Sequence, residues 1–513
     1  MLQKHIYLNE MSTTSYDELP YPSLVHSDTS PYQLATLSKV FGLTPPAIET
    51  CRVLELGCGD GTNLIAIAQS LPQATCIGID NSEKQIQAGR HLIQTLKLSN
   101  IKLIQQDFTQ LMAHDFGQFD YIIAHGFYSW IPPELQDTLL QICQQSLTPQ
   151  GIIYLSYNVY PGWHMDNFVR DLMRYHVSQL SDSALSTQVT QAKAILRFLA
   201  NLYQQDKSAF GVFLQEKWQQ LSEVDENYLF HDFLETENHP VYFHQFLQHA
   251  QQHELTYVTD IEFRRYLKTA FPAETNHVFE QLFQGDDTKR ERYLDFVYQR
   301  SLRRSLLCHA SQNAALQDET VVSHCYIAAF LQPVSSLNQQ HSTLFHNKQG
   351  EQVEIKSLTV RVAIQMLANI YPENLAFDVL CQQVQKQVPQ AISELKTVLM
   401  YAFWQLYLHE HVELSTSPTL LTSKIAKYPV ASPLARWKAT QSSIVINLRC
   451  EFVQLDALHV SLLPYLDGNN DLKALRNLLK KKLKKNKQTQ STDYAHLLDQ
   501  VLLDLAKNGV LMR

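Results

Sequence analysis

The stretch "VLELGCGDGT", Val53 to Thr62, decides the fold. An apolar run ends in Glu55 and Leu56, and glycines follow at every second position: Gly57, Gly59 and Gly61. A glycine loop at the end of an apolar strand lets backbone come close to a bound ligand. A dinucleotide fingerprint spaces its glycines GxGxxG, so that a pyrophosphate rests on a helix N-terminus. Here the spacing differs. Glu55, two residues before the first glycine, would repel a pyrophosphate and suits a ligand with cationic groups or hydroxyls nearby.

Outward from this loop the pattern repeats. The apolar runs Val53–Leu56, Cys76–Ile79, Ile101–Ile104, Tyr121–Ala124 and Ile152–Ser156 alternate with helix-like stretches at Asn63–Ser70, Glu83–Leu96 and Pro133–Ser146. Near-continuous apolar strands between helices predict an open parallel sheet covered on both faces. Upstream, Ser30 and Pro31 open a predicted helix to Phe41. Downstream, Asp166 to about Leu234 reads as mostly helical, and "YFHQFLQHAQQHELTYVTDIEF" as a helix feeding a strand. With "YQRSLRRSLLCHA" as a further strand, the sheet resumes after the helices, which makes them an insertion.

Two later segments resemble each other. "TVLMYAFWQLYLHEHVEL" (Thr397–Leu414) and "DQVLLDLAKNGVLM" (Asp499–Met512) are each an apolar helix ending in a short strand. They predict two winged-helix-like modules. The basic run Lys473–Lys487 places leucines 475, 478, 479 and 483 on one helical face. That pattern favours a core-packed helix with solvated lysines over a docking surface for RNA or an acidic protein.

With 513 residues, the chain has room for roughly three domains. The net charge of −8 argues against non-specific nucleic-acid binding. No apolar run approaches the length of a membrane span, and the N-terminus lacks a signal-peptide core. The eight cysteines form no CxxC pair and read as free thiols in a reducing cytosol. The 21 histidines contain no HExxH, so no metal is expected.

Two more acids follow at strand ends. Asp80 closes "TCIGID", 23 residues after Gly57, and suits a pair of ribose hydroxyls. Asp107 closes "IKLIQQDF", where it can accept from an adenine amino group with Phe108 beside the ring. Each acid alone is more often a helix cap or a solvated loop residue; three at successive strand ends point to a ligand there. S-adenosylmethionine, with an amino group, a sulfonium and no phosphate, matches this charge pattern. Glu55, Gly57, Cys58, Gly59, Asn63, Asp80, Asn81, Asp107, Phe108 and His125 are the expected cofactor residues.

These motifs resemble class I S-adenosylmethionine-dependent methyltransferases. "YDELPYPS" (Tyr16–Ser23), "HGFYSWIP" (His125–Pro132), "SYNVYPGW" (Ser156–Trp163), "YLFHDFLE" (Tyr228–Glu235) and "YLDFVYQRSLRRSLLCH" (Tyr293–His309) resemble the bacterial subfamily with a methyltransferase regulatory domain. That subfamily includes rickettsial protein lysine methyltransferases of outer-membrane proteins. The chain departs from it at Ser30-Pro31, where His-Pro is expected. The resemblance implies an α/β fold: a Rossmann-like methyltransferase sheet with a helical insertion, followed by two smaller, mostly helical, winged-helix-like domains. The expected boundaries are 1–50 for an N-terminal lid segment and 51–310 for the methyltransferase domain with its insertion at about 166–234. Residues 311–425 and 426–513 form the two modules. It also implies a protein substrate, a homodimer through the insertion, and a cytoplasmic enzyme.

A lysine acceptor must be neutral to attack, although its ordinary pKa is about 10.4. Burial among aromatic rings lowers that value, and the rings stabilise a methylated ammonium. The loops after the fourth and fifth strands supply His125, Tyr128, Trp130, Tyr157, Asn158 and Trp163 as candidate catalytic residues. Tyr16, Tyr21, Tyr160 and Trp163 are candidates for substrate contact. His125 has three open roles: contact with the methionine part, orientation of the acceptor, or base. Two other readings remain at this stage, a methyltransferase of RNA or a small molecule and a cofactor-binding regulator without turnover.

Overall fold

The structure is a computed structural model, and it describes residues 15–111, 116–180, 183–267, 271–334, 342–485 and 493–513. The expected sheet is present. β1 (Arg52–Leu56), β2 (Thr75–Asp80), β3 (Ile101–Gln105), β4 (Phe119–Ala124) and β5 (Leu147–Asn158) run parallel. β6 (Leu255–Asp260) and β7 (Leu302–His309) complete the order β3-β2-β1-β4-β5-β7-β6, with β7 antiparallel to both neighbours. The three predicted helices appear as Thr62–Ser70, Glu83–Leu96 and Pro133–Ser146. The first begins at Gly61, in the left-handed region at φ 73°, where a side chain would be strained.

Between β5 and β6 lie the insertion helices Gly162–Ser178, Leu185–Leu202, Ala209–Ser222 and Glu226–Phe233. Their apolar faces close on a core of their own around Val169, Leu196, Leu214 and Leu229. Two further helices, Ala273–Phe283 and Asp287–Val297, stand between β6 and β7.

The third part packs helices Leu358–Ile370, Phe377–Gln385 and Ile392–Leu408 on a small sheet of Tyr326–Ala328, Leu375–Ala376 and Glu413–Ser415. Its apolar interior is continuous with one face of the main sheet, from Val53 and Tyr121 through Leu34 to Ile327, Ile364 and Phe403. The last part buries Leu475 and Leu479 of the basic helix Leu472–Lys485 against Leu498 and Leu502 of helix Tyr494–Lys507. The lysine-rich segment is therefore a core-packed helix. Leu434 N–H donates to Gln69 Oε1 at 2.7 Å, joining this part to the first helix of the methyltransferase sheet. All eight cysteines are free and buried. No helix among the described residues is long and apolar enough to cross a membrane.

One ionic network holds the last two strands. Arg303 of β7 is fully buried. Its Nη2 donates to Asp295 Oδ1 at 2.7 Å and Glu291 Oε2 at 3.1 Å, and its guanidinium lies 3.6 Å above the Phe243 ring. Asp260 of β6 lies 3.7 Å from its Nη1. Removing one member of such a cluster leaves uncompensated buried charge. Arg303→Met is expected to lower the stability of the β6–β7 region by ~3–5 kcal/mol. Arg303→Lys should rescue little, since a point charge cannot fork between two carboxylates. Denaturant unfolding followed by hydrogen exchange in β6 and β7 checks this; an unchanged transition would show that the network is not stabilising.

Candidate active site

The C-terminal ends of β1, β2 and β4 meet the N-terminal segment and the insertion around a cavity of ≈ 250 Å³. A second cleft of ≈ 310 Å³, lined by Asp28, Tyr32, Glu413 and Arg449, lies against the third and fourth parts. It misses the strand ends, where open α/β sheets bind ligands.

The glycine loop hooks over β2. Gly57 N–H and Cys58 N–H both donate to the Ile79 carbonyl, at 2.9 and 3.1 Å, and Gly59 N–H donates to Asp80 Oδ2 at 2.8 Å. Gly57 has φ 70°, and a Cβ there would sit 2.4 Å from the Phe127 ring. Only glycine leaves that space open between loop and ring.

Glu55 is buried at the floor of the cavity. Its Oε1 accepts from Asn63 Nδ2 at 2.8 Å, while Oε2 has no partner. Burial pushes this carboxyl up to about 8. Asp80 lines the cavity at the end of β2, with Oδ1 accepting from Ser82 N–H at 2.9 Å. Burial raises its pKa as well, against the hydrogen bonds from Ser82 and Gly59. Cys58, Asn63 and Asn81 also line the cavity.

Asp107 and Phe108 stand elsewhere. Asp107 caps a short turn, accepting from Thr109 N–H at 2.9 Å and Thr109 Oγ1 at 2.8 Å. Phe108 is buried edge-on behind Phe127, with ring centroids 5.1 Å apart. Neither lines the cavity; Phe127 supplies the ring there.

The aromatic loops divide in the same way. His125 and Trp130 line the cavity. Tyr128 is drawn into the core, its hydroxyl 2.8 Å from His249 Nδ1 and its ring edge-on to Phe246. β5 runs two residues past the apolar stretch, so Tyr157 and Asn158 are ladder residues opposite Arg303 and Leu302. The Tyr157 hydroxyl pairs with Ser305 Oγ at 3.0 Å, and Asn158 Nδ2 donates to Asn238 Oδ1 at 2.9 Å. Trp163 is buried against the edge of Trp130, and Tyr160 stacks on His164 at 4.2 Å. These five residues support the walls and do not line the cavity.

His125 Nδ1 lies 2.9 Å from the Tyr154 hydroxyl, which donates to Asp28 Oδ2 at 3.1 Å; that carboxylate also takes Arg304 Nη1 at 2.8 Å. This order of donors assigns the His125 proton to Nδ1 and leaves Nε2 with its lone pair. Burial, followed by the neighbouring His26 and Arg304, holds the imidazole well below its ordinary pKa. The ring is neutral and stacks on His26 at 3.7 Å.

The N-terminal segment and the insertion close the top. Tyr16 stacks on His231 at 4.1 Å, and Tyr21 leans on His231 and Tyr228. His231 Nε2 lies 2.6 Å from the Leu19 carbonyl. Tyr16 and Tyr21 both line the cavity. Asp232 lines it too, and burial pushes its carboxyl up to about 6. Its backbone is held by Arg170, whose Nη1 donates to the Asp232 carbonyl at 3.2 Å and whose guanidinium lies 5.9 Å from the Trp130 ring. Sequence reasoning missed His26, Phe127, His231 and Asp232. The signal for the last two was the polar His-Asp pair inside the otherwise apolar "YLFHDF".

The donor set suits S-adenosylmethionine. An unpartnered, buried carboxylate oxygen on Glu55 matches an ammonium, and the Asp80 carboxylate matches vicinal hydroxyls. The space opened by Gly57 admits a chain between loop and ring. When bound, that cofactor supplies an electrophilic methyl group on a sulfonium.

Comparisons with known proteins agree. A "Methyltransferase domain" model matches residues 48–225, a "Predicted methyltransferase regulatory domain" residues 225–309, and a "PKMT, C-terminal winged helix domain" residues 427–510. The uncharacterized protein RP028 of Rickettsia prowazekii (strain Madrid E) is 36% identical over 245 residues, spanning 48% of this chain and 97% of that one. The uncharacterized protein RP789 of the same organism is 29% identical over 493 residues, 93% of this chain and 88% of its own. Among solved structures, PKMT2 from Rickettsia typhi in complex with AdoHcy superposes with a TM-score of 0.84 at 26% identity, covering 96% of this chain and 100% of that chain. The chain belongs to the family of S-adenosylmethionine-dependent methyltransferases that carry a methyltransferase regulatory domain and a C-terminal winged helix.

Proposed function

We propose that the protein is a protein lysine N-methyltransferase whose acceptor amine enters between Tyr21, Trp130 and Asp232. The observation that carries this reading is the pairing of the Asp232 carboxylate with the aromatic rings of Tyr21 and Trp130 in the lining of the cavity. Aromatic faces and one negative charge suit an alkylammonium before and after methylation. The likeness to PKMT2 and to rickettsial lysine methyltransferases supports the same acceptor.

In this reading Glu55 and Asp80 hold the cofactor, and Gly57 and Gly59 admit its chain. The rings of Tyr16, Tyr21 and Trp130 exclude water, which favours the neutral amine. Asp232 accepts a hydrogen bond from the amine, points its lone pair, and passes the displaced proton toward solvent. His125, neutral and tethered through Tyr154, orients the acceptor through Nε2. Tyr128, Tyr157, Asn158, Tyr160 and Trp163 act as wall supports. Of the expected lid segment 1–50, residues 1–14 lie outside the described residues, Tyr16 to His26 cover the cavity and serve as the lid, and the helix Pro31–Val40 packs in the core. Outer-membrane proteins are the substrates to test. A homodimer through the insertion is part of the same reading, supported by the exposed Tyr175, Phe198 and Leu202 on its helices; sedimentation equilibrium decides it.

Two outcomes follow for the cofactor and the acceptor. The cofactor ammonium needs Glu55 ionised, while the free carboxyl sits at about 8. Binding therefore expels a proton below that pH, and affinity for AdoHcy should rise with pH up to about 8 and then level. Glu55→Gln should flatten the profile and weaken binding by ~1.5–3 kcal/mol at the plateau; calorimetry across pH reads both, and a flat wild-type profile would reject the role of Glu55.

Asp232 must likewise be ionised to accept from the amine, so kcat should climb as pH rises through about 6. Asp232→Asn should remove that limb and cut turnover at least ~100-fold with AdoHcy affinity unchanged. The direct test is methyl transfer from labelled S-adenosylmethionine into outer-membrane extracts. Label on protein lysines is expected; label only in RNA or small metabolites would overturn the reading.

A further inference from the structure

The helix Phe243–Gln252 ends in the sequence HAQQH, His249 to His253. Spacing i, i+4 brings both imidazoles to one face. Asp137, from helix Pro133–Ser146, stands opposite. The Nε2 atoms of His249 and His253 lie 2.8 and 2.9 Å from the same oxygen, Asp137 Oδ1. One ligand atom from each residue lies within 4.8 Å of the other two. The two imidazoles are each 18% exposed and Asp137 is 65% exposed, so the cluster opens to water. None of the three lines the cofactor cavity.

We propose that Asp137, His249 and His253 form a three-ligand site for a divalent transition ion of the zinc class. Two imidazole nitrogens and one carboxylate oxygen are the donors that zinc takes, whereas calcium and magnesium select all-oxygen shells. Bonds of ~2.1 Å in tetrahedral geometry require donors ~3.4 Å apart. The observed nitrogen–oxygen separations of 2.8 and 2.9 Å reach that by opening roughly half an ångström, which a rotation of the exposed Asp137 side chain supplies. Solvent supplies the fourth position.

The surroundings fit a ligand set rather than a chance contact. His249 Nδ1 is 2.8 Å from the buried Tyr128 hydroxyl, which fixes the ring and leaves Nε2 as the coordinating atom. The Tyr128 carbonyl accepts from Gln136 Nε2 at 3.0 Å, and Gln136 neighbours Asp137. The side chain that orients one ligand is thus tied to the helix that carries another. A bound ion clamps residues 243–253 to the helix that follows β4, close to the loop that carries His125 and Trp130. The HExxH pattern passes over this pair because Ala250 stands where that motif has its glutamate, and Asp137 comes from a helix more than a hundred residues earlier in the chain.

The test uses the full, untagged chain, stripped with chelator and titrated with Co²⁺. One Co²⁺ per chain is expected, with visible bands of a four- or five-coordinate ion that Zn²⁺ displaces. His249→Ala, His253→Ala and Asp137→Asn should each weaken binding at least ~10-fold and abolish the bands, whereas His91→Ala, on an exposed helix face, should leave both unchanged. Zn²⁺ should raise the melting temperature of the wild type and not of the variants. AdoHcy binding verifies that each variant is folded. Should His249→Ala fail to fold, His253→Gln, at the half-buried residue that caps the helix, decides the matter. Absence of the bands in the wild type, or their survival in His253→Gln, would overturn the proposal.

Discussion

The site depends on a single side-chain amide. Asn63, one residue into the helix after the glycine loop, donates to Glu55 Oε1 at 2.8 Å and to Thr29 Oγ1 at 3.0 Å, and its Oδ1 accepts from the His26 backbone at 2.9 Å. It therefore joins the strand end, the loop helix and the N-terminal segment. With Oε1 so occupied, Glu55 keeps Oε2 for a ligand, and the segment that carries Tyr16 and Tyr21 is registered over the cavity. A second tie runs in parallel through Asp28, which takes Arg304 from β7 and Tyr154 from β5 and so sets the tautomer of His125. Both ties are buried or half-buried, where a hydrogen bond is strong and an unmatched partner is costly.

These ties explain how distant segments serve one cavity. The N-terminal segment and the insertion each lack a place in the sheet. The former is held from below by Asn63 and Asp28 and from above by His231, which contacts Leu19 and stacks on Tyr16. The latter keeps its own apolar core, so it can present Asp232 and His231 without drawing on the sheet's packing. The third part shares a core with one face of the sheet. It acts as a buttress behind the strands, on ground that the chain pattern assigned to a separate module.

Much of this was legible in the chain. Apolar runs bounded by turn residues located five parallel strands within one to five residues of their ends, because strands buried on both faces need continuous apolar sequence. The glycine spacing with Glu55 and Asp80 identified the loop and its ligand chemistry, since those residues act through local geometry at one strand end. The aromatic loops were harder. Tyr128 and Trp130 are two residues apart, yet one is core and the other lines the cavity. Their division follows from how a short turn faces Phe246 and His249, residues more than a hundred positions away. Asp107 fell to a local rule: its carboxylate caps the turn that follows it.

The sequence by itself determined the sheet, the glycine loop and the acids Glu55 and Asp80 at the ends of β1 and β2, because each follows from periodicity or from residues adjacent in the chain. Only the tertiary structure decided which aromatics face the cavity, that Asp232 stands among them, that His125 is neutral, and that His249 and His253 meet Asp137. Those facts depend on burial and on contacts between segments far apart in the chain, and neither is written in local spacing.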